Sequence, residues 1–302
     1  MLSPLTSFVK RGLLTTEWYR FALRRRSLPG VAVLSYHGLH GGKRTANCLD
    51  QLHVSQDEFE RHCWLLRRYF NPISLEQWRT ALRGGPSLPR NATLVTFDDG
   101  YQSVATLALP VLQAYSIPFV VFVCSEPVEK RKLFWFDVCA RAYDAERVER
   151  VKRLPFDASI AWQRQHEWAA SDNDIDAPMT PQEVRLLSDL GVEIGAHTAD
   201  HVILSNCTPE QQRAQIASNK FQLEQWTGKP VRAIAYPNGQ PNVDYGRETV
   251  EIAAELGFDF GFCTRYSFAL AGESPLEHSR MMILTGTCAF ELAHRLCYSW
   301  PR

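Results

Sequence analysis

The chain has 302 residues, of which 45% are hydrophobic and 22% are charged, and its formal net charge is zero. This composition is typical of a globular protein with a sizeable core. A net charge of zero excludes a global field that would recruit nucleic acid or an anionic membrane, and no apolar run reaches the length of a transmembrane helix. The eight cysteines are scattered singly, a pattern that favours reduced core thiols over a disulfide framework or a cysteine-rich metal site.

Residues 1–30 are predicted to form an N-terminal amphipathic helical extension to a main domain at residues 31–302. A signal peptide needs an uninterrupted apolar stretch, and four charged residues interrupt this one: Lys10, Arg11, Glu17 and Arg20. The extension either packs on the outside of the domain or makes a weak contact with a membrane surface, where the basic run at residues 24–26 would meet anionic lipid. The expected localisation is therefore cytoplasmic, or peripheral at the inner membrane face.

Past residue 30, apolar strand-like runs alternate with helix-like segments. The strand candidates, in chain order, are GVAVLSYHGL, ATLVTF, PFVVFV, VEIGAHT, VRAIAYP, FDFGFCT and RMMIL. Helix candidates between them begin at N-cap signals: Ser55 with Glu58, Thr180 with Glu183, and Thr208 with Gln211. Strands that are apolar throughout and separated by helices predict a parallel sheet covered on its faces. We therefore expect a single barrel-like α/β domain, with residues 125–180 as an elaborated connection.

Polar or turn-forming residues follow four of these strand candidates. Because chemistry gathers at the carboxyl ends of barrel strands, these positions are candidate site residues. They are Tyr36 with His37, Asp98 with Asp99, His197 with His201, and Tyr236 with Asn238.

Asp99, His197 and His201 have the composition of a metal site, because two imidazoles and one carboxylate bind a divalent cation and leave positions open for water and substrate. Side-by-side carboxylates repel, and a cation removes that conflict when one of them ligates it and the other, Asp98, acts as general base. Gly100 then lets the backbone turn sharply. A helix N-cap with an acidic neighbour is the alternative explanation for the two aspartates, but it leaves the histidines unexplained.

The motifs TFDDG, HTADH and AYPNG together resemble those of the NodB-like polysaccharide deacetylases, carbohydrate esterase family 4, over about residues 30–265. The resemblance implies a distorted (β/α)7 barrel and metal-dependent hydrolysis of an N-acetyl or related acyl group on an amino sugar. By motif position it implies that Asp98 is the general base, that Asp99, His197 and His201 bind the metal, and that Thr198 orients the metal loop. The metal in such enzymes is usually zinc.

The chain departs from the family pattern at two places. Ala235 stands where the third motif carries an arginine that pairs with the base, and RMMILTG lacks the terminal Leu-x-His that supplies the general acid. His37 is our candidate for the acid, the alternative being a histidine that only hydrogen-bonds within the barrel rim. Arg280 is the candidate partner for Asp98.

Three residues are predicted to contact substrate or to hold the oxyanion: Tyr236, Asn238 and Trp135. A backbone N–H near Asn238 is the expected oxyanion donor, and Trp135 is either a stacking platform for a sugar ring or a packing residue. The leading hypothesis is a metal-dependent N-deacylase for an acylated amino sugar of a bacterial polysaccharide, glycolipid or sugar precursor, with no nucleic-acid partner. The alternatives are a sugar-binding pseudoenzyme, which the two missing residues motivate, and a hydrolase of a non-sugar amide on the same barrel.

Overall fold

The computed structural model describes residues 9–10, 12–13, 18–25, 27–42, 49–171 and 174–298. Its strands are β1 (Ala32–Tyr36), β2 (Gly38–His40), β3 (His53–Ser55), β4 (Asn71–Pro72), β5 (Ala92–Phe97), β6 (Phe119–Val123), β7 (Glu193–Ala196), β8 (Ala233–Ala235), β9 (Phe260–Phe262) and β10 (Met281–Met282). Its α-helices are α1 (Trp18–Arg25), α2 (Gln56–Tyr69), α3 (Leu75–Leu82), α4 (Leu109–Ala114), α5 (Ser125–Lys130), α6 (Trp135–Ala142), α7 (Ala145–Lys152), α8 (Phe156–Gln165), α9 (Pro181–Asp189), α10 (Pro209–Thr227), α11 (Arg247–Glu255) and α12 (Ala289–Tyr298).

Seven strands form one parallel path in the order β10-β1-β5-β6-β7-β8-β9, with β4 added beside β5. The two ends of this path meet, because Cys263 N–H donates to His278 O at 3.0 Å and His278 N–H donates to Gly261 O at 2.8 Å. These bonds join β9 to the segment that enters β10. The predicted single-domain, distorted (β/α)7 barrel is thus confirmed.

Neighbouring residues along the strands face two separate hydrophobic clusters. Val33 and Leu94 belong to the smaller cluster, whereas Leu34 and Val95 belong to the larger one, which includes residues of most of the helices. Successive side chains of a strand point to opposite faces, so both faces of the sheet are covered. This explains why the strand sequences are apolar throughout.

The predicted cap signals are found at the helix starts. Thr180 and Glu183 form a complete capping box at α9, and Thr208 and Gln211 form another at α10. At α2 the Ser55 side chain accepts a hydrogen bond from the backbone of Glu58. These caps fix where the helices begin, and hence the lengths of the loops that follow the strands.

Two segments differ from the predicted elements. The first strand candidate divides at His37, because β1 pairs within the barrel while β2 pairs only with β3. The connection at residues 125–180 contains four helices, and the FWF segment opens α6. Its rings pack with Tyr101 and Cys124 in a small cluster of their own, and this burial against the barrel stabilises a helix that the sequence pattern did not indicate.

The described part of the N-terminal extension packs on the barrel. Tyr19 and Leu23 of α1 are buried in the larger core cluster, and α1 contacts α12 and α2. The rest of residues 1–30, including Arg26 of the basic run, lies largely outside the described residues. Within the described ranges, no helix combines the length and the apolar character needed to cross a membrane.

Candidate metal centre and active site

The structure brings the three predicted metal ligands together at the carboxyl end of the barrel. Asp99 Oδ1 lies 3.3 Å from Nε2 of His197 and 3.3 Å from Nε2 of His201. One candidate ligand atom from each residue lies within 4.8 Å of the others, and all three side chains are buried. Asp99 follows β5, and the two histidines follow β7, so two strand ends build the group.

Left-handed backbone turns place these side chains. Asp99 has φ of 71°, Thr198 has 61° and His201 has 52°. Such conformations cost of order 1 kcal/mol or more in residues other than glycine, and they concentrate at functional sites. The His197 and His201 rings therefore meet through a turn and not through helical spacing, as the sequence predicted.

Hydrogen bonds orient His197 from both sides. Its Nδ1 lies 2.7 Å from the carbonyl oxygen of Ala235, so this nitrogen donates and Nε2 keeps its lone pair for a cation. The His197 backbone N–H donates to Asn219 Oδ1 at 2.9 Å, and Asn219 Nδ2 donates to Val123 O at 3.0 Å. Ala235, which replaces the family's arginine, thus contributes through its backbone.

Gln215 supports the loop between the two histidines. Its Oε1 accepts from Asp200 N–H at 3.0 Å, and its backbone carbonyl accepts from Ala199 N–H at 3.2 Å. Gln215 and Asn219 lie four residues apart on one face of α10, and both are buried. Sequence reasoning missed them, because the buried face of α10 is itself largely polar and gives no apolar stripe against which two polar residues would stand out.

The donor set fits a divalent cation. Among the described residues, none donates to Asp99 Oδ1 in hydrogen-bond geometry, although the atom is buried. Burial alone would raise the pKa of Asp99, but the His197 and His201 imidazoles hold it well below its usual range. Burial lowers the pKa of His201 to about 4, so this ring is neutral near pH 7 and can offer a lone pair. The pKa of His197 is raised, because the Asp99 and Asp98 carboxylates outweigh the effect of burial.

Asp98 forms a buried, two-point ion pair with Arg280. Arg280 Nη1 lies 2.7 Å from Asp98 Oδ1, and Nη2 lies 2.9 Å from Oδ2. Ser35 Oγ donates to the same Oδ2 at 3.2 Å. Burial alone would raise the pKa of Asp98, but the guanidinium of Arg280 lowers it below its ordinary value. Arg280 thus stands where the prediction placed a substitute for the family's arginine.

His37 lines the same cavity as Asp98, Asp99 and the two histidines. It lies between β1 and β2 and is almost fully buried. Among the described residues, none hydrogen-bonds its Nδ1. The side chain is therefore placed for proton transfer inside the cavity, and its role as the general acid stays a prediction.

The cavity has a volume of about 180 Å³. Six apolar residues line it: Leu49, Leu52, Trp135, Phe136, Val148 and Met282. Glu149 and Lys152 of α7 add charged groups to the lining, and sequence reasoning named neither. Trp135 Nε1 donates to His201 O at 3.1 Å. Trp135 therefore supports the loop at residues 197–201, here called the metal loop, as well as lining the cavity.

The YPNG turn contributes Tyr236 and Asn238 to the lining. The Tyr236 hydroxyl donates to Leu276 O at 3.0 Å, and its backbone N–H donates to Phe262 O at 3.2 Å. Both Tyr236 donors are therefore bonded within the protein, and the contact of this residue with substrate stays a prediction. Because Gly239 N–H donates to Pro237 O, a backbone oxyanion donor in this turn has to be the N–H of Asn238.

Comparison with known proteins agrees with this geometry. The model of the family described as polysaccharide deacetylase matches residues 86–261, more than half of the chain. The poly-β-1,6-N-acetyl-D-glucosamine N-deacetylase of Escherichia coli K12 is 29% identical over 223 residues, which are 71% of this chain and 31% of that protein. The chain thus spans about a third of the length of this relative.

Two solved structures share the fold. The Streptococcus pyogenes deacetylase PplD, determined with acetate, has a TM-score of 0.66 and 20% identity over 89% of this chain and 99% of its own. IcaB from Ammonifex degensii has a TM-score of 0.64 and 22% identity, over 89% of this chain and 97% of its own.

The family match includes Asp98, Asp99, His197 and His201, whereas Arg280 lies beyond it. The matched segment thus holds the predicted base and the predicted metal ligands in one buried group. The chain belongs to the polysaccharide deacetylase family and is a hydrolase of non-peptide C–N bonds in carbohydrate.

Proposed function

We propose that the chain is a zinc-dependent N-deacetylase of an N-acetylated amino sugar in a bacterial glycan. The observation that carries the proposal is one cavity lined by Asp99, His197 and His201 together with Asp98, whose carboxylate is paired with the buried Arg280. A binding module without turnover has no need of a carboxylate that is ionised and oriented beside a cation site. Arg280 also supplies the pairing that the missing arginine had left open, and this weighs against the pseudoenzyme.

The residues divide the chemistry of amide hydrolysis among them. A divalent cation held by Asp99, His197 and His201 supplies Lewis acidity, which polarises the acyl carbonyl and eases deprotonation of water. Asp98 accepts the proton of the water whose oxygen attacks the acyl carbon. The N–H of Asn238 donates to the oxygen that gains negative charge. His37 donates a proton to the amine nitrogen as the C–N bond breaks, which yields a carboxylic acid and a free amino sugar.

The choice of zinc rests on the ligand chemistry. Two imidazole nitrogens and one carboxylate oxygen suit zinc and other late first-row ions, whereas magnesium and calcium prefer oxygen ligands. The Asp99, His197 and His201 group offers three ligands, the number that catalytic zinc sites use when they leave a position for water.

The size of the cavity supports an amino-sugar substrate. A volume of about 180 Å³ suits an acyl group and the sugar ring that carries it, whereas a longer glycan has to extend out through the mouth. The E. coli relative is named for a polymer of N-acetylglucosamine. We therefore propose an N-acetylglucosamine unit of a glycan or of a glycan precursor as the substrate.

The test is metal content together with acetate release. Wild type should bind about one zinc per chain and release acetate from N-acetylglucosamine oligomers only when it holds metal. His197→Ala should lose both properties. His166→Ala is the matched control, because His166 stacks on Trp162 and lies outside the cavity lining, so both properties should be retained.

The outcomes separate the parts of the proposal. A protein that binds no zinc or cobalt after reconstitution would show that Asp99, His197 and His201 are not a metal site. Full metal occupancy without acetate release from any N-acetylated sugar would contradict the proposed substrate but not the proposed metal site.

A further inference from the structure

Helix α1 has two apolar faces, and only one of them is covered. Tyr19 and Leu23 are buried against the barrel. On the other side, Trp18 is 46% exposed and Phe21 is 48% exposed. A surface helix normally presents polar residues away from the core, so this second face calls for an explanation.

The end of α12 extends the same surface. Trp18 Nε1 donates to the hydroxyl of Tyr298 at 2.6 Å, and Tyr298 is 43% exposed. The rings of Trp18 and Phe21 lie 5.5 Å apart. These three residues, Trp18, Phe21 and Tyr298, form an exposed aromatic patch built from two helices that are 280 residues apart in the chain.

Basic side chains border the aromatic patch. The sequence of α1, WYRFALRR, contains three arginines and no acidic residue. Arg20, Arg24 and Arg25 are all exposed, and the guanidinium of Arg25 lies 4.9 Å above the Phe21 ring. A chain with no net charge thus concentrates positive charge on one short helix.

We propose that the aromatic patch, with Arg20, Arg24 and Arg25, docks on an anionic lipid surface. Aromatic rings with a polar edge settle at the boundary between headgroups and acyl chains, and arginines beside them meet anionic headgroups. A second copy of this chain fits less well, because a two-fold interface would place the same arginines opposite one another. The proposal stands on α1 and α12 and does not depend on the proposed chemistry.

Co-sedimentation of the full chain with lipid vesicles tests the proposal. Wild type should pellet with vesicles of phosphatidylcholine and phosphatidylglycerol, and much less with pure phosphatidylcholine or at high salt. The pair Arg24→Gln and Arg25→Gln should bind about 30-fold more weakly, since each basic residue near an anionic surface contributes about a factor of five. Trp18→Ala with Phe21→Ala should bind more weakly at every salt concentration.

Phe221→Ala is the matched control. Phe221 lies on α10 and is 61% exposed, so the substitution removes an exposed aromatic ring away from the patch. It should pellet like wild type, and thermal unfolding should show that every variant is folded. Equal pelleting of wild type with neutral and anionic vesicles, or an equal loss in Phe221→Ala, would overturn the proposal. Light scattering offers another outcome against the proposal. If wild type is a dimer and the double variant Trp18→Ala with Phe21→Ala is a monomer, the patch serves a second copy of the chain.

Discussion

The pairing with Arg280 sets the ionisation and the orientation of Asp98, the proposed base. Two hydrogen bonds to one guanidinium and a third from Ser35 fix its plane. The pairing also keeps it ionised, because a carboxyl group buried this deeply would otherwise take up a proton more readily. The contribution of the Asp98–Arg280 pair to the free energy of unfolding is present at neutral pH, and it is lost as the pH falls through the lowered pKa of Asp98.

Arg280→Met should therefore shift the pH dependence of catalysis. Without the guanidinium, burial acts unopposed and the pKa of Asp98 rises, so the acidic limb of kcat/KM moves to higher pH. The variant should also lose about 3–5 kcal/mol of unfolding free energy, because a buried charge is left without its partner. Arg265→Met, which changes a half-exposed arginine of the same connection between β9 and β10, should leave the limb in place. An unchanged limb in Arg280→Met would contradict the role given to the pair.

At the residue scale, the sequence predicts the site side chains that directly follow the strands, but it misses the side chains that reach the site from other elements. Asp98, Asp99, His197 and His201 follow apolar strands directly, so their meeting could be inferred from the barrel. Asn219 binds the His197 backbone from the middle of a helix, and the packing of α10 on β7 decides that contact. No pattern in the strand sequences carries that information.

At the element scale, the inserted helices α6 and α7 make the active site a pocket. The apolar side of α6 packs on the barrel edge, and Tyr101 Oη donates to Asp137 Oδ2 at 2.7 Å. Cap signals predicted α9 and α10, which begin at Thr-Pro sequences. α6 has no side-chain cap and depends on its contact with the barrel, so its sequence alone did not indicate it.

The hydrogen bond from α6 to the metal loop can be tested with Trp135→Phe. This change removes the indole N–H that binds His201 O and keeps an aromatic ring. The dissociation constant for zinc should rise about tenfold, the scale of effects from groups that orient metal ligands. Metal-competition titration measures it, with Trp168→Phe on an exposed position as the control. An affinity equal to wild type would show that the loop does not need this bond.

The charged residues of α7 lead to a prediction about substrate. Lys152 Nζ lies 3.8 Å from Glu149 Oε1, and both side chains line the cavity, where they can bind sugar hydroxyls. Lys152→Ala should raise KM several-fold and leave kcat within about twofold, because binding and not the reacting atoms is affected. Arg153→Ala, one residue on and exposed, is the control. A fall in kcat at constant KM would contradict this division.

At the scale of the whole molecule, we expect cation binding to be coupled to folding stability. Positive φ angles at Asp99, Thr198 and His201 and the buried Asp99 Oδ1 make the ligand loops costly without a cation. A ligand that binds only the folded state adds stability by mass action. We therefore expect a bound cation to stabilise the loops at the carboxyl end of the barrel.

Chelation should lower the midpoint of thermal unfolding. Free zinc at a hundred times its dissociation constant contributes about 2.7 kcal/mol, which corresponds to a shift of about 4 °C for a chain of 302 residues. Differential scanning calorimetry with and without a chelator measures the shift. His197→Ala should show almost none, and an equal shift in that variant would mean that the metal acts at another place.

The position of Arg280 in the chain has a consequence for protein synthesis. The predicted metal ligands are complete once His201 has left the ribosome, whereas the partner of the base lies 182 residues after Asp98. Arg280 reaches Asp98 only when β10 joins β1 and completes the barrel. The Asp98–Arg280 pair therefore needs a nearly complete chain, whereas Asp99, His197 and His201 all precede Arg280 by about 80 residues or more.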